Sequence, residues 1–223
     1  MKTKFLGAVA IAALLLSFVS EGRATNVNLV PTAVGNVVDD AGGVADGTFD
    51  RVEATSFPEV DATNNFTYRA VMEFNLASIS AAVVNSAQLH RNLGNATDPP
   101  VTVQLYGYAG DGVLSVGDAQ QNNLIATASI PQYGDGGATT FSIDVTGLLT
   151  FLVTANDPFA GLMFRLPVEP PFPNQKMEQF RSPTLSIDFS PTPLPTALPL
   201  FATGLGGLGL LGWRRKRKAA LAA

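Results

Sequence analysis

The chain of 223 residues contains no cysteine, a single histidine and a single tryptophan. Without cysteine there is neither a disulfide framework nor a thiolate metal site, so stability must come from an apolar core. The histidine, His90, lies in Gln88-Leu89-His90-Arg91-Asn92, and a single strand histidine is far more often structural than catalytic. Catalytic signatures are missing as well: there is no Gly-x-Ser-x-Gly elbow, no His-Glu-x-x-His pair and no phosphate loop. Basic residues are scarce through the middle, where Thr25 to Phe189 carries 6 Lys+Arg against 17 Asp+Glu, a net of −11. Such a surface repels nucleic acid and anionic lipid, and suits cations or neutral sugars.

What is present is concentrated first at the two ends. Lys2 and Lys4 precede the apolar run Phe5 to Val19, and Gly22-Arg23-Ala24 places small residues at the third and first positions before a cut. This pattern predicts a secretory signal peptide over residues 1–24, cleaved after Ala24. At the other end, Thr196 to Trp213 is eighteen residues without a charge. As a helix that segment is roughly 27 Å long, enough to span a bilayer. Arg214, Arg215, Lys216, Arg217 and Lys218 follow at once, and the positive-inside rule holds such a block in the cytoplasm. Five glycines between Gly204 and Gly212 argue against a soluble core helix, where each costs about 1 kcal/mol. The domain between the two ends is therefore expected outside the cytoplasm.

The tail, residues 190–223, resembles a known family. Pro193-Leu194-Pro195, the run Leu198-Pro199-Leu200-Phe201, the glycine-rich apolar stretch and Trp213 with its basic block occur in the order of the PEP-CTERM sorting signal of Gram-negative bacteria. Leu194 between the prolines is as in the VPLPA-like variant rather than Pro-Glu-Pro. Leu194-Pro195-Thr196-Ala197 does not fit the Leu-Pro-x-Thr-Gly signal of Gram-positive sortases. The resemblance implies an exosortase-type processing enzyme as partner, transient residence in the inner membrane, and release to the cell surface or an exopolysaccharide-rich biofilm matrix.

Between the ends lie about 165 residues, a length that suits one domain burying roughly 70% of its unfolded surface. The pattern there has period 2. In Tyr68 to Leu76 the even positions are Tyr, Ala, Met, Phe and Leu, while three of the four odd ones are polar. Val101, Val103 and Leu105 alternate with Thr102, Gln104 and Tyr106, and Phe141, Ile143 and Val145 alternate with Ser142, Asp144 and Thr146. Further strands are expected at Leu124 to Ile130, Gly161 to Leu166 and Thr184 to Phe189, separated by Gly/Pro/Asp turns and without a long helical period. The expected fold is all-β, an antiparallel β-sandwich or jelly roll over residues 25–189, flanked by a signal helix and a C-terminal transmembrane helix.

Six stretches, residues 68–79, 84–89, 101–107, 141–146, 161–164 and 183–187, are together similar to the DNRLRE-type carbohydrate-binding-like β-sandwich. That resemblance implies an exported, non-catalytic module that contacts extracellular polysaccharide. For such contact the candidates are Gln104, Tyr106 and Tyr108, which share the polar side of one strand, and Tyr133 in a turn. The acidic stretch Asp39 to Asp50 groups Asp39, Asp40, Asp46 and Asp50, oxygen donors of the kind calcium takes. Calcium is the one candidate ion, and no organic cofactor is implied. The stretch Asp111 to Asp118 fails as an EF-hand. With Gly112 at the invariant glycine, Gly107 and Ala109 stand where the first two carboxylates belong. Two other classes stay open: a structural subunit or adhesin that binds protein through strand edges or an apolar patch, and a carbohydrate-active enzyme. The second would use paired carboxylates such as Glu53 with Glu59, or Asp61 with Glu73.

Overall fold

The computed structural model describes residues 24–40, 43, 45–56, 58–62, 65–80, 82–93, 101–130, 139–167 and 175–191. Alternating side chains with period 2 form strands because successive Cβ atoms point to opposite faces, so one apolar set can be buried at once. Among the described residues eleven strands result: β1 (Thr25–Leu29), β2 (Ala33–Asp39), β3 (Arg51–Ala54), β4 (Glu59–Ala62), β5 (Thr67–Asn75), β6 (Ala82–Leu93), β7 (Val101–Ala109), β8 (Leu124–Ile130), β9 (Thr139–Asp144), β10 (Phe159–Arg165) and β11 (Gln175–Pro191). Every pairing described is antiparallel, as the sequence predicts.

The pairings give two sheets. One runs β3-β2-β5-β10-β7-β8, and the other runs β1-β11-β6-β9. β11 belongs to both: its first residues pair with β4, which itself pairs with the start of β5, and after a register shift the rest lies between β6 and β1. The inner faces share one core. Ala70, Met72 and Phe74 of β5, Leu162 and Phe164 of β10 and Leu105 of β7 meet Ala87 and Leu89 of β6, Ile143 of β9 and Leu185 and Ile187 of β11.

The chain departs from the expected pattern in the helix α1 (Thr146–Ala155). Leu148, Leu149, Leu152 and Val153 recur at the helical spacing and enter the same core. The helix touches β6 of one sheet and β7 and β10 of the other, so it closes an end of the core between them. Asp144 starts it: one carboxylate oxygen accepts the Thr146 N–H at 2.9 Å and its hydroxyl at 2.6 Å. Asn156, in the left-handed conformation at φ 61°, ends it by donating its N–H to the last-turn carbonyls.

Among the described residues no helix is long and apolar enough to cross a membrane. The signal segment before Ala24 and the tail beyond Pro191, with the proline motif, the apolar span and the basic block, lie outside the described residues.

Candidate functional site

The outer face of the larger sheet is where the sequence placed its sugar-contact residues. The odd positions of β5 put Arg69, Val71 and Glu73 there, beside Gly161, Met163 and Arg165 of β10 and Gln104, Tyr106 and Tyr108 of β7. A half-buried strand would leave this face wet. Instead Val71, Met163, Tyr106 and Tyr108 form a second apolar cluster with Val37, Phe49 and Ala119. Loop residues cover the sheet, because Phe49 and Ala119 come from the segments after β2 and after β7.

The polar expectation for the two tyrosines is thereby corrected: Tyr106 is 4% exposed and Tyr108 8%. Tyr106 does lie next to Gln104, donating its hydroxyl to Gln104 Oε1 at 2.9 Å. No sequence signal marks the third member, Arg165, whose guanidinium lies 4.2 Å from the Tyr106 ring centroid and donates to the Tyr106 hydroxyl at 2.5 Å. Its Nε also reaches Gln104 Oε1 at 3.4 Å. Ring face and hydroxyl are both taken within the protein, so Tyr106 offers no free stacking surface. Tyr133 lies outside the described residues.

Tyr108 belongs to a different constellation. Its hydroxyl lies against the carboxylates of Glu73 and Asp118, and burial first, then the two negative charges, push the phenol far above its ordinary range. Glu73 is fully buried, and its Oε2 accepts the N–H groups of Asp111 at 3.1 Å and Gly112 at 2.5 Å. Asp118 accepts the Ser115 N–H at 2.6 Å, the cap of a short 3₁₀ turn over Val116–Gln120. Burial raises both carboxyls above the usual range, and the nearby charges of Asp118 and Asp111 for Glu73, and of Asp111 for Asp118, add to it. The loop N–H groups pull the other way without cancelling it.

The acidic stretch turns inward on itself. Asp39, 1% exposed, accepts the N–H groups of Asp46 at 3.2 Å and Gly47 at 2.7 Å. Asp46 accepts the Thr48 N–H at 2.8 Å, Asp50 accepts the Asp40 N–H at 3.1 Å, and Asp40 pairs with Arg51 at 2.8 Å. The four carboxylates thus organise one loop, which sets Phe49 under the Arg69 guanidinium at 4.3 Å. Among the described residues no group of three or more His, Asp or Glu is arranged to hold a metal ion.

The remaining candidates are separated or engaged. His90 meets Ser142 across the strands at 2.6 Å. Glu53 pairs with Arg51 at 2.7 Å. Asp61 stands opposite Tyr68, towards the end of β5 away from Glu73. Ala24, the predicted cleavage position, is exposed and directly precedes β1. One surface feature escaped the sequence entirely. Phe151 of α1 is 68% exposed beside Leu124 at 49%. The ring's outward direction follows from the helix, which period-2 alternation does not signal.

No family model matches the chain, and no curated protein matches it. Among solved structures, a rhamnosidase from Klebsiella oxytoca with rhamnose bound is similar at 12% identity and a TM-score of 0.33, over 83% of this chain and 32% of that one. An isomalto-dextranase of Arthrobacter globiformis T6 complexed with panose is similar at 11% identity and a TM-score of 0.28, over 76% of this chain and 33% of that one. This chain spans about a third of the length of each. At these scores neither likeness bears on function.

Proposed function

We propose that this protein is an exported, non-enzymatic component of the cell surface or extracellular matrix, sorted through its C-terminal tail and associating with extracellular polysaccharide. The observation that carries the reading is the order of segments. A signal-like start runs to Ala24 and the strands run from Thr25 to Pro191. A proline motif at Pro193 to Pro195, an uncharged span and a basic block follow. The non-catalytic part is supported by the buried carboxylates. Asp39, Glu73 and Asp118 each accept backbone N–H groups of the chain's own loops, the task of structural pins.

The test is intact mass and cell fractionation in the native host, with the native tail and with Pro193 and Pro195 replaced by alanine. A species that starts at Thr25, lacks the tail and lies outside the cell only when the prolines are present supports the sorting. A full-length chain kept in the inner membrane in both cases overturns it. Pull-down on the host's polysaccharide, competed by free sugar, tests the association and separates it from an adhesin that binds protein.

A further inference from the structure

α1 is an exposed helix without a single ionisable residue, in a domain of net charge −11. Its inward face is accounted for by the core. An outward face ordinarily carries charge. Here Thr150 and Thr154 donate their hydroxyls to the carbonyls of Thr146 and Thr150 at 2.8 and 2.7 Å, and Phe151 projects between them. The ring forms one wall of a groove of about 540 Å³, completed by Asn123, Leu124, Ile125, Gly147 and Leu148. The Asn123 amide is held in place by donating to the Gly107 carbonyl at 3.2 Å. Gly147 has an ordinary negative φ, and a Cβ there would meet nothing within 4 Å. Neither backbone nor packing demands a glycine, which costs helix stability relative to alanine. Gly147 lines the groove, and the missing side chain leaves that side of it open.

We infer that this groove is a subsite for a neutral sugar chain, one pyranose stacking on Phe151 and its hydroxyls meeting the Asn123 amide. The inference rests on the reading of the protein as a polysaccharide-associated module and names the place on it. Size favours a small ligand, because the groove lies within the range of small-molecule sites. A specific protein partner needs about 800 Å² per side, far more than one phenylalanine and one leucine supply. Chemistry favours a sugar: an exposed aromatic wall takes apolar C–H faces, and a fixed amide gives orientation. Charge favours a neutral one. None of the six lining residues is ionisable, and the acidic domain repels a uronate polymer.

The test is affinity electrophoresis of the full chain, kept soluble in a polyoxyethylene detergent free of sugar, through gels containing dextran, starch, xylan, alginate or the host's own polysaccharide. Phe151→Ala removes the wall, and Gly147→Met fills the groove without deleting any contact. The expected result is retardation by at least one neutral polymer and none by alginate. Each variant should weaken it by about tenfold or more, the scale of losing an anchoring aromatic, with thermal unfolding unchanged for Phe151→Ala. Retardation of the variants equal to that of the native chain overturns the site and leaves the proposed function standing. Failure of the native chain to bind any of the polymers overturns both. Retardation by alginate that both variants lose overturns the neutral specificity. If Phe151→Ala abolishes only self-association in sedimentation, the patch joins copies of the chain and the inference falls.

Discussion

Glu73 holds Gly112: one buried carboxylate oxygen accepts that residue's N–H at 2.5 Å, with the N–H of Asp111 on the same oxygen at 3.1 Å. Gly112 has φ +89°, which a side chain would strain, and a Cβ on Gly110 would come within 2.7 Å of the Glu73 carboxylate. The start of the loop after β7 is therefore seated on the sheet by the Glu73 side chain. Glu73→Ala should lower stability by about 2–3 kcal/mol, since two loop N–H groups lose a charged acceptor. Amide exchange in residues 110–120 should rise more than in β6. Chemical denaturation and hydrogen exchange read both effects.

Glu73 and Asp118 also make stability depend on pH with a sign opposite to that of a paired surface carboxylate. Burial raises both above their ordinary values, so the folded chain binds more protons than the unfolded one between the usual carboxyl range and those raised values. Stability therefore falls as pH rises through that window. The melting temperature should be higher just above the ordinary carboxyl range than near neutrality. Asp144, lowered by its bonds to Thr146, acts the other way but is exposed. Glu73→Gln combined with Asp118→Asn should flatten the profile measured by differential scanning calorimetry, which general repulsion in an acidic chain would not predict.

Gly161 is fixed by Tyr108. A Cβ at position 161 would overlap the Tyr108 ring, which lies flat across the glycine on the neighbouring strand. Gly161→Ala should cost about 1–3 kcal/mol by overpacking. Combined with Tyr108→Ala the two losses should sum to less than their separate values, a coupling that a double-mutant cycle measures.

Arg91 lies fully within the core, its guanidinium 3.8 Å from the Phe164 ring centroid and 3.1 Å from Met72 Sδ. Burial holds its pKa well below the ordinary arginine value. Arg91→Ala should destabilise by about 3–5 kcal/mol, through the cavity and the lost contacts together. Urea midpoints for this variant and for Arg51→Ala, whose partly exposed side chain pairs with Asp40 at the surface, would show the contrast, the latter staying close to the native chain.

Asp39→Ala should release the acidic loop, because Asp46 and Gly47 lose the acceptors of their N–H groups. A loss of about 1–3 kcal/mol is expected, with faster proteolytic cutting between residues 40 and 50.

The strands were legible where alternation was strict. The expected runs at 124–130 and 161–166 fall on β8 and β10, and β5 lies where Tyr68 to Leu76 alternate. α1 was not, because its threonines, valine and phenylalanine favour strands and its ten residues hold only two turns of apolar spacing. The tyrosines of β7 were misplaced for a reason no single strand contains. Their face is buried by segments outside the strand, around Phe49 and Ala119, and polar residues such as Arg69 and Glu73 on that face serve as loop anchors. Arg69 donates to the Ala119 carbonyl, a contact between residues fifty positions apart. Alternation reports which side is apolar, and it is silent on what later covers the other side.

The placement of β11 sets a clock on the molecule. This last strand is flanked on both sides, by β1 through Thr25↔Phe189 and by β6 through Ser186↔Gln88. The smaller sheet cannot close until β11 has left the ribosome, so its pairing waits on the end of the described residues. Once β11 has paired, the first and last strands lie side by side. A cut beyond Pro191 then removes none of the described strands.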